Sequence, residues 1–378
     1  MVIRTNKTSP IALLPIIYYI GNFFKLYDSQ IEISFLLLAF TGVFGLLVIW
    51  NGGLLRLDRM VVFYLIFMTM ITAGVFIGGH NLGLIDLVSS ALLVGVTGIM
   101  LMFPWDEKQA AAAFYITFAL MLLRMMQHAE TVLQIGSNNY VSILLILMAA
   151  LYYLPYEWND RKLTIVSLIP AFLTFGLSVL AAGRGGILAS GLMLAGLICI
   201  YIFGVIKNRQ GRIIAMAAML AAAAVVVLAA GKLMSSIGDF KSDGFTNAIR
   251  INMWTQYIRG ALSSPKYLLL GYPLKKIALI ARFNGNPHNS FILLHAIGGI
   301  IPLALFFLFF VRSAIFYLKN KSYIALLMLM VVFVRGMTDK FIFGQYGMPV
   351  LIFLVMYPYY AEKHSDYWQR ESIVRCII

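Results

Sequence analysis

Apolar residues run in long blocks along nearly the whole chain, and polar residues fall mainly in the short gaps between them. The blocks are about 18 to 22 residues long, enough for an α-helix to cross roughly 30 Å of hydrocarbon. A transmembrane barrel needs strands that alternate apolar and polar positions, and these blocks do not alternate. Hydropathy predicts about twelve spans, near 10–27, 31–50, 60–79, 82–103, 110–127, 139–156, 163–182, 186–206, 213–231, 289–317, 323–337 and 341–360. No small-residue cleavage pattern follows the block from Ile11 to Tyr27, which therefore reads as a first span rather than a cleaved leader. The expected fold class is all-α: a polytopic transmembrane helical bundle forming one integral membrane domain over 1–378. Nine spans occupy 1–231, a long hydrophilic loop 232–287, and three spans with a tail 288–378.

Inside that loop the pattern changes to helical periodicity. Ile249, Met253, Trp254, Tyr257 and Ile258 recur at helical spacing. They predict an amphipathic helix from Thr246 to Leu262, lying on the membrane or capping the bundle, and ended by Ser263, Ser264 and Pro265. No internal repeat is visible.

Composition agrees with a bilayer as solvent: 61% hydrophobic residues, 12% charged residues and a mean hydropathy of +0.89. The net charge of +14 fits cytoplasmic loops, anionic lipid or an anionic substrate better than nucleic acid. With the amino end cytoplasmic, the inner loops collect most lysines and arginines, among them Arg56, Arg59, Arg161, Lys162, Lys207, Arg209, Lys319 and Lys321. The short outer gaps then hold few, and Trp50, Trp105 and Trp158 fall at inner interfaces. This predicts a bacterial inner-membrane protein with both termini cytoplasmic and the long loop outside. Cys199 and Cys376 are the only cysteines, so a disulfide framework or a cysteine metal site is not expected.

Ionisable residues within spans are costly, and here they gather at one level. His80, Asp86, Arg124, His128, Arg184, His288, His295, Arg335 and Asp339 all fall at or near outer span ends. Span ends tolerate charge in any case; together the residues point to an outward-facing polar site.

Three motifs stand out. Gly183-Arg184-Gly185-Gly186 joins two spans with almost no loop, exposing one guanidinium and backbone N–H groups to a bulky anion such as a pyrophosphate. The same residues also suit a plain tight turn with a snorkelling arginine. Arg250 and Trp254 share one helix face, so an anion and an apolar lipid or sugar ring could be held side by side; an interfacial anchor is the alternative. Asn286-Pro287-His288-Asn289-Ser290 opens the tenth span, where Asn289 or Ser290 can cap the helix and His288 can accept a proton near neutral pH.

The order of these motifs around one outer loop resembles the O-antigen polymerase and O-antigen ligase superfamily. The residues carrying the resemblance are Arg184, Arg250 and Trp254, Gly271, His288 with Asn289, and Gly298 with Gly299, mainly within residues 180–300. Gly183 stands where the family often has serine, and Gly271-Tyr272-Pro273 replaces a commoner Gly-x-Gly. Gly298-Gly299-Ile300-Ile301-Pro302 lacks the threonine pair frequent in ligases, which favours the polymerase branch.

The resemblance implies transfer of a growing glycan from polyprenyl pyrophosphate to a lipid-linked oligosaccharide repeat unit. Arg184 and Arg250 would stabilise the departing pyrophosphate and His288 would act as general base. Arg124, Trp254, Arg282, Asn289 and Arg335 would help to bind substrate. Besides membrane lipid, a chain-length regulator and a flippase are the partners it implies. There is no Asp-x-Asp pair, so no metal and no other cofactor is expected. The competing readings are an O-antigen ligase that joins glycan to lipid A core, and a lipid-linked sugar flippase or transporter.

Overall fold

The computed structural model describes residues 13–27, 33–51, 92–93, 95–101, 105–127, 139–158, 161–181, 183–206, 208–211, 213, 248–283, 285–340 and 349–358. The predicted span near 60–79, nearly all of that near 213–231, the first part of the long hydrophilic loop, His80, Asp86, His128 and the carboxyl tail lie outside them.

Among the described residues there is no strand. In chain order the helices are α1 (Leu13–Tyr27), α2 (Ile33–Asn51), α3 (Glu107–Gln127), α4 (Asn139–Trp158), α5 (Ile169–Leu180) and α6 (Arg184–Val205). The loop contributes α7 (Ala248–Leu262), α8 (Pro265–Leu270) and α9 (Ala278–Arg282). Then follow α10 (Ser290–Gly298), α11 (Ile300–Lys319) and α12 (Tyr323–Thr338), and finally α13 (Pro349–Pro358). Among the described residues four segments, Glu107–Met126, Tyr140–Glu157, Arg184–Gly204 and Ile300–Lys319, are long and apolar enough to cross a membrane.

The outer surface of the bundle is apolar. Phe40, Ile165, Phe172, Leu188 and Leu308 are all more than half exposed, an arrangement that water disfavours and lipid tails accept. Polar groups are instead satisfied inside. α4 is the central helix and is nearly all buried. Pro155 has no N–H to give the carbonyl of Leu151, and the indole of Trp105 donates to that carbonyl at 2.6 Å. Near the end of α13 the same device recurs: Pro358 leaves the Leu354 carbonyl without its helical donor, and the Tyr317 hydroxyl donates to it at 2.6 Å. Trp105 is thus a fully buried carbonyl partner, so the wet ring edge expected of an interfacial tryptophan is not present. The reason is Pro155, far away in sequence but adjacent in space.

The helices alternate in direction. At one end Glu107 receives Tyr156 at 2.8 Å and pairs with Arg161 at 2.5 Å. There the Glu157 carboxylate also accepts the Ile324 N–H at 2.5 Å, at the start of α12. At the other end Gly185 lies against the Thr338 side chain and Gly186 against Ser142, leaving no room for a Cβ at either glycine. The ends of α3, α5 and α12 and the starts of α4 and α6 therefore meet on one side.

The single long span expected near 289–317 is instead two helices. Gly299 separates α10 from α11 with φ +81°, and the Leu269 carbonyl lies so close that a Cβ could not be accommodated. Hydropathy could not register the break, because isoleucines flank the glycine pair.

The predicted loop helix is present as α7, and its stop signal is also the next start: Ser264 caps α8 and Pro265 is its first residue. Only part of the predicted apolar face of α7 turns inward: Met253 and Tyr257 are buried and Trp254 partly so, while Ile249 and Ile258 are about half exposed. Met253, Tyr257 and Ala261 pack with Leu274, Ile277, Ile280 and Ala296, so the loop helices cap the bundle through α10. Gly271 at φ +92° lets the backbone pass against the Ala296 carbonyl. His295 bolts the two layers together. Its Nε2 lies 3.1 Å from the Leu268 carbonyl, which can only accept, so Nδ1 takes the hydrogen bond from the Tyr257 hydroxyl at 2.6 Å.

Candidate functional site

The turn that ends α12 gathers residues from three other segments of the chain, α6, α7 and α10. Arg335, fully buried, donates to Thr338 Oγ1 at 2.8 Å and pairs with Asp339 at 3.5 Å. Arg250 of α7 donates to the Thr338 carbonyl at 3.3 Å. Ser290, the first residue of α10, donates to the Asp339 carbonyl at 2.6 Å. Gly185 packs on Thr338 from α6, which brings its neighbour Arg184 to the same place. Asp339 in turn accepts the Lys340 backbone N–H at 2.8 Å.

The histidine segment stands beside this turn. His288 adopts φ +50°, a left-handed conformation that is costly for a side chain with a Cβ. Three contacts hold it there. Asn286 Oδ1 accepts the His288 N–H at 2.8 Å, and the Trp254 indole donates to the Pro287 carbonyl at 2.9 Å. Asn289 caps α10 by accepting from Phe291 and Ile292 at 2.9 and 3.1 Å. The imidazole meets the edge of Phe283, with ring centres 5.5 Å apart, and its Nδ1 is buried without a hydrogen-bond partner among the described residues.

The electrostatics favour anions. Arg250, Arg335 and Lys340 lie around Asp339, the one carboxylate at this turn among the described residues, and Arg184 stands close enough to repel Arg250. Burial pulls the Arg250 guanidinium below its ordinary value; Asp339 opposes this and Arg184 adds to it. Burial likewise holds His288 below 6.5; Arg250 and Lys340 push the same way and Asp339 pushes back. The imidazole is therefore neutral at neutral pH, with a lone pair available. Arginines recognise phosphate through planar paired donors, and a mutually repelling set with one counter-charge gains by admitting an anion.

No protein-family model, curated protein or solved structure matches the chain. Among the described residues no cluster of three metal-ligating side chains occurs.

Of the residues singled out from the sequence, Arg184, Arg250, Arg335 and His288 come together around the α12 turn, with Trp254 and Asn289 as the supports just described. Arg124 lies half-buried in the last turn of α3, at the same end of the bundle. Arg282 is exposed at the end of α9 and makes no hydrogen bond or ion pair with a described residue, so it stands apart from the arginine turn. The indole N–H of Trp254 and the side-chain oxygen of Asn289 are occupied by backbone partners, which makes positioning their observed work. Thr338 was not singled out from the sequence, and Asp339 was placed only among the charges at outer span ends, without a role as partner of Arg335. The available signal was Asp339 four residues after Arg335, a spacing that pairs charges on a helix.

Proposed function

We propose that the chain is a metal-independent membrane glycosyltransferase, an O-antigen type polymerase acting on polyprenyl-pyrophosphate-linked sugars. In this reading it crosses the bacterial inner membrane about twelve times, with both termini cytoplasmic and the Arg184 to His288 end facing the periplasm. The observation that carries the reading is the gathering of Arg184, Arg250 and Arg335 at the α12 turn, next to a neutral imidazole.

The chemistry follows from that pairing. A hydroxyl oxygen of the lipid-linked repeat unit attacks C1 of the donor's first sugar. The bond from C1 to the phosphate oxygen breaks, and the electron pair leaves with polyprenyl pyrophosphate. Arg184 and Arg250 neutralise the charge that develops on it, with the buried Arg335 behind them. His288 takes the hydroxyl proton as general base. Arginines do here what a divalent metal does in many diphosphate-handling enzymes. Asp339 holds the arginines in register until the pyrophosphate replaces its counter-charge.

Purified protein supplied with lipid-linked repeat units tests this directly. The expected product is a ladder of lengthening glycan, lost in Arg184→Ala and His288→Ala. An unchanged ladder in either variant refutes the assignment. Product only when lipid A core is added would make the protein a ligase, and label crossing a vesicle without a new bond would make it a carrier.

A further inference from the structure

The loop helices carry a second concentration of positive charge, separate from the arginine turn. Residues 248–283 contain Arg250, Arg259, Lys266, Lys275, Lys276 and Arg282 and no aspartate or glutamate. Arg250 reaches the Thr338 carbonyl, while the other five are exposed. Two of these lysines share a surface with a pair of tyrosines. Lys276 Nζ donates to the Tyr267 hydroxyl at 2.8 Å and lies 5.1 Å and 6.0 Å from the centres of the Tyr267 and Tyr272 rings. The two rings meet edge to face at 5.0 Å. Lys266 is close enough to act with Lys276 in drawing the Tyr267 hydroxyl below its ordinary value.

An apolar surface begins beside this patch. Leu262 and Leu269 are exposed, and the Leu269 carbonyl lies against Gly299 at the start of α11. Farther along α11, Ile301, Leu308, Val311 and Ile315 are exposed as well. Leu269 thus sits where the outward apolar surface of α11 starts, and the lysines and tyrosines belong to the same helix and the turn after it. That sequence of surfaces, apolar and then aromatic and basic, matches acyl chains followed by an acidic headgroup.

We propose that Lys266, Tyr267, Tyr272 and Lys276 form a binding site for the phosphate headgroup of an anionic phospholipid whose acyl chains lie along α11. Phosphate oxygens would take the ammonium donors, the tyrosine rings would line the glycerol, and Leu269 would meet the first methylenes. The site is independent of the glycosyltransferase reading, since none of its residues touches the arginine turn.

The test is native mass spectrometry of the full-length protein in detergent, titrated with phosphatidylglycerol or phosphatidylcholine. Phosphatidylglycerol adducts are expected to dominate. Lys266→Ala and Lys276→Ala should each weaken phosphatidylglycerol binding about fivefold, the effect of roughly one surface lysine on an acidic membrane. Lys276→Arg should retain binding, and Lys319→Ala at the opposite end of α11 should leave it unchanged. Equal binding of the two lipids, or adducts unaffected by removing both patch lysines, overturns the proposal. Displacement of phosphatidylglycerol by an equal concentration of inorganic phosphate also overturns it, because the site would then take free phosphate rather than lipid.

Discussion

Replacing His288 by alanine and by glycine separates its backbone from its side chain. Both substitutions remove the imidazole, so both should abolish glycan transfer. Their stabilities should differ in the unusual direction. Alanine is ordinarily the more stabilising residue, because glycine gives the unfolded chain more freedom, worth about 0.4–1 kcal/mol. At φ +50°, however, a Cβ crowds the following carbonyl at a cost of about 1–2 kcal/mol, which glycine escapes. The difference leaves His288→Gly more stable than His288→Ala by about 1 kcal/mol, roughly fivefold in the unfolding equilibrium. Thermal unfolding in one detergent, followed by tryptophan fluorescence, measures it. Trp254, bonded to Pro287, is a local reporter. Equal stabilities, or an alanine variant more stable than the glycine one, would show that the left-handed conformation is not held in the folded protein. The reasoning about a strained histidine would then be wrong.

Trp254→Phe keeps an aromatic ring but removes the donor to Pro287, and should cut the turnover of glycan transfer several-fold while changing the apparent affinity for donor lipid little; the opposite split would place Trp254 in binding rather than positioning. Because His288 titrates below 6.5, transfer should hold to mildly acidic pH and fall once the imidazole protonates. Arg250→Gln removes a charge that lowers His288, so the acid limb of its residual activity should move to higher pH; an unmoved limb would exclude His288 as the titrating base. Folding follows the same sign: the stability linked to neutral His288 is complete above 6.5 and is lost as pH falls toward the lower folded value. Trp105→Phe strands the Leu151 carbonyl in the core and should destabilise the protein by about 1–3 kcal/mol, measured by the same unfolding assay; a neutral result would mean that another donor reaches that carbonyl.

The helical character of the chain was legible in its sequence, because an apolar block of span length has one stable form in lipid. Helix bounds such as Asn139–Trp158 and Tyr323–Thr338 fall within a few residues of the hydropathy blocks for that reason. Helix α7 was legible as well, since Met253, Trp254 and Tyr257 recur at helical spacing, although Ile249 and Ile258 of the same pattern stay exposed; the cap of α10 was legible as Asn289 or Ser290, and packing gave it to Asn289. Alternating helix direction brought Arg184 and Arg335 to one end, as charge placement along the blocks suggested.

Other features depended on residues distant in the chain. Whether Trp105 anchors an interface or fills a core was decided by Pro155 freeing a carbonyl on a neighbouring helix. The break at Gly299 was decided by the Leu269 backbone pressing from the loop, a contact that hydropathy averages away. Arg250 and Arg282 carry the same charge in the same loop, yet only Arg250 reaches the α12 turn, because the small core around Tyr257 orients α7 toward it. Local pattern determines what each segment becomes; the shared turn at Arg335–Lys340 exists only once segments far apart in sequence satisfy one another's polar groups.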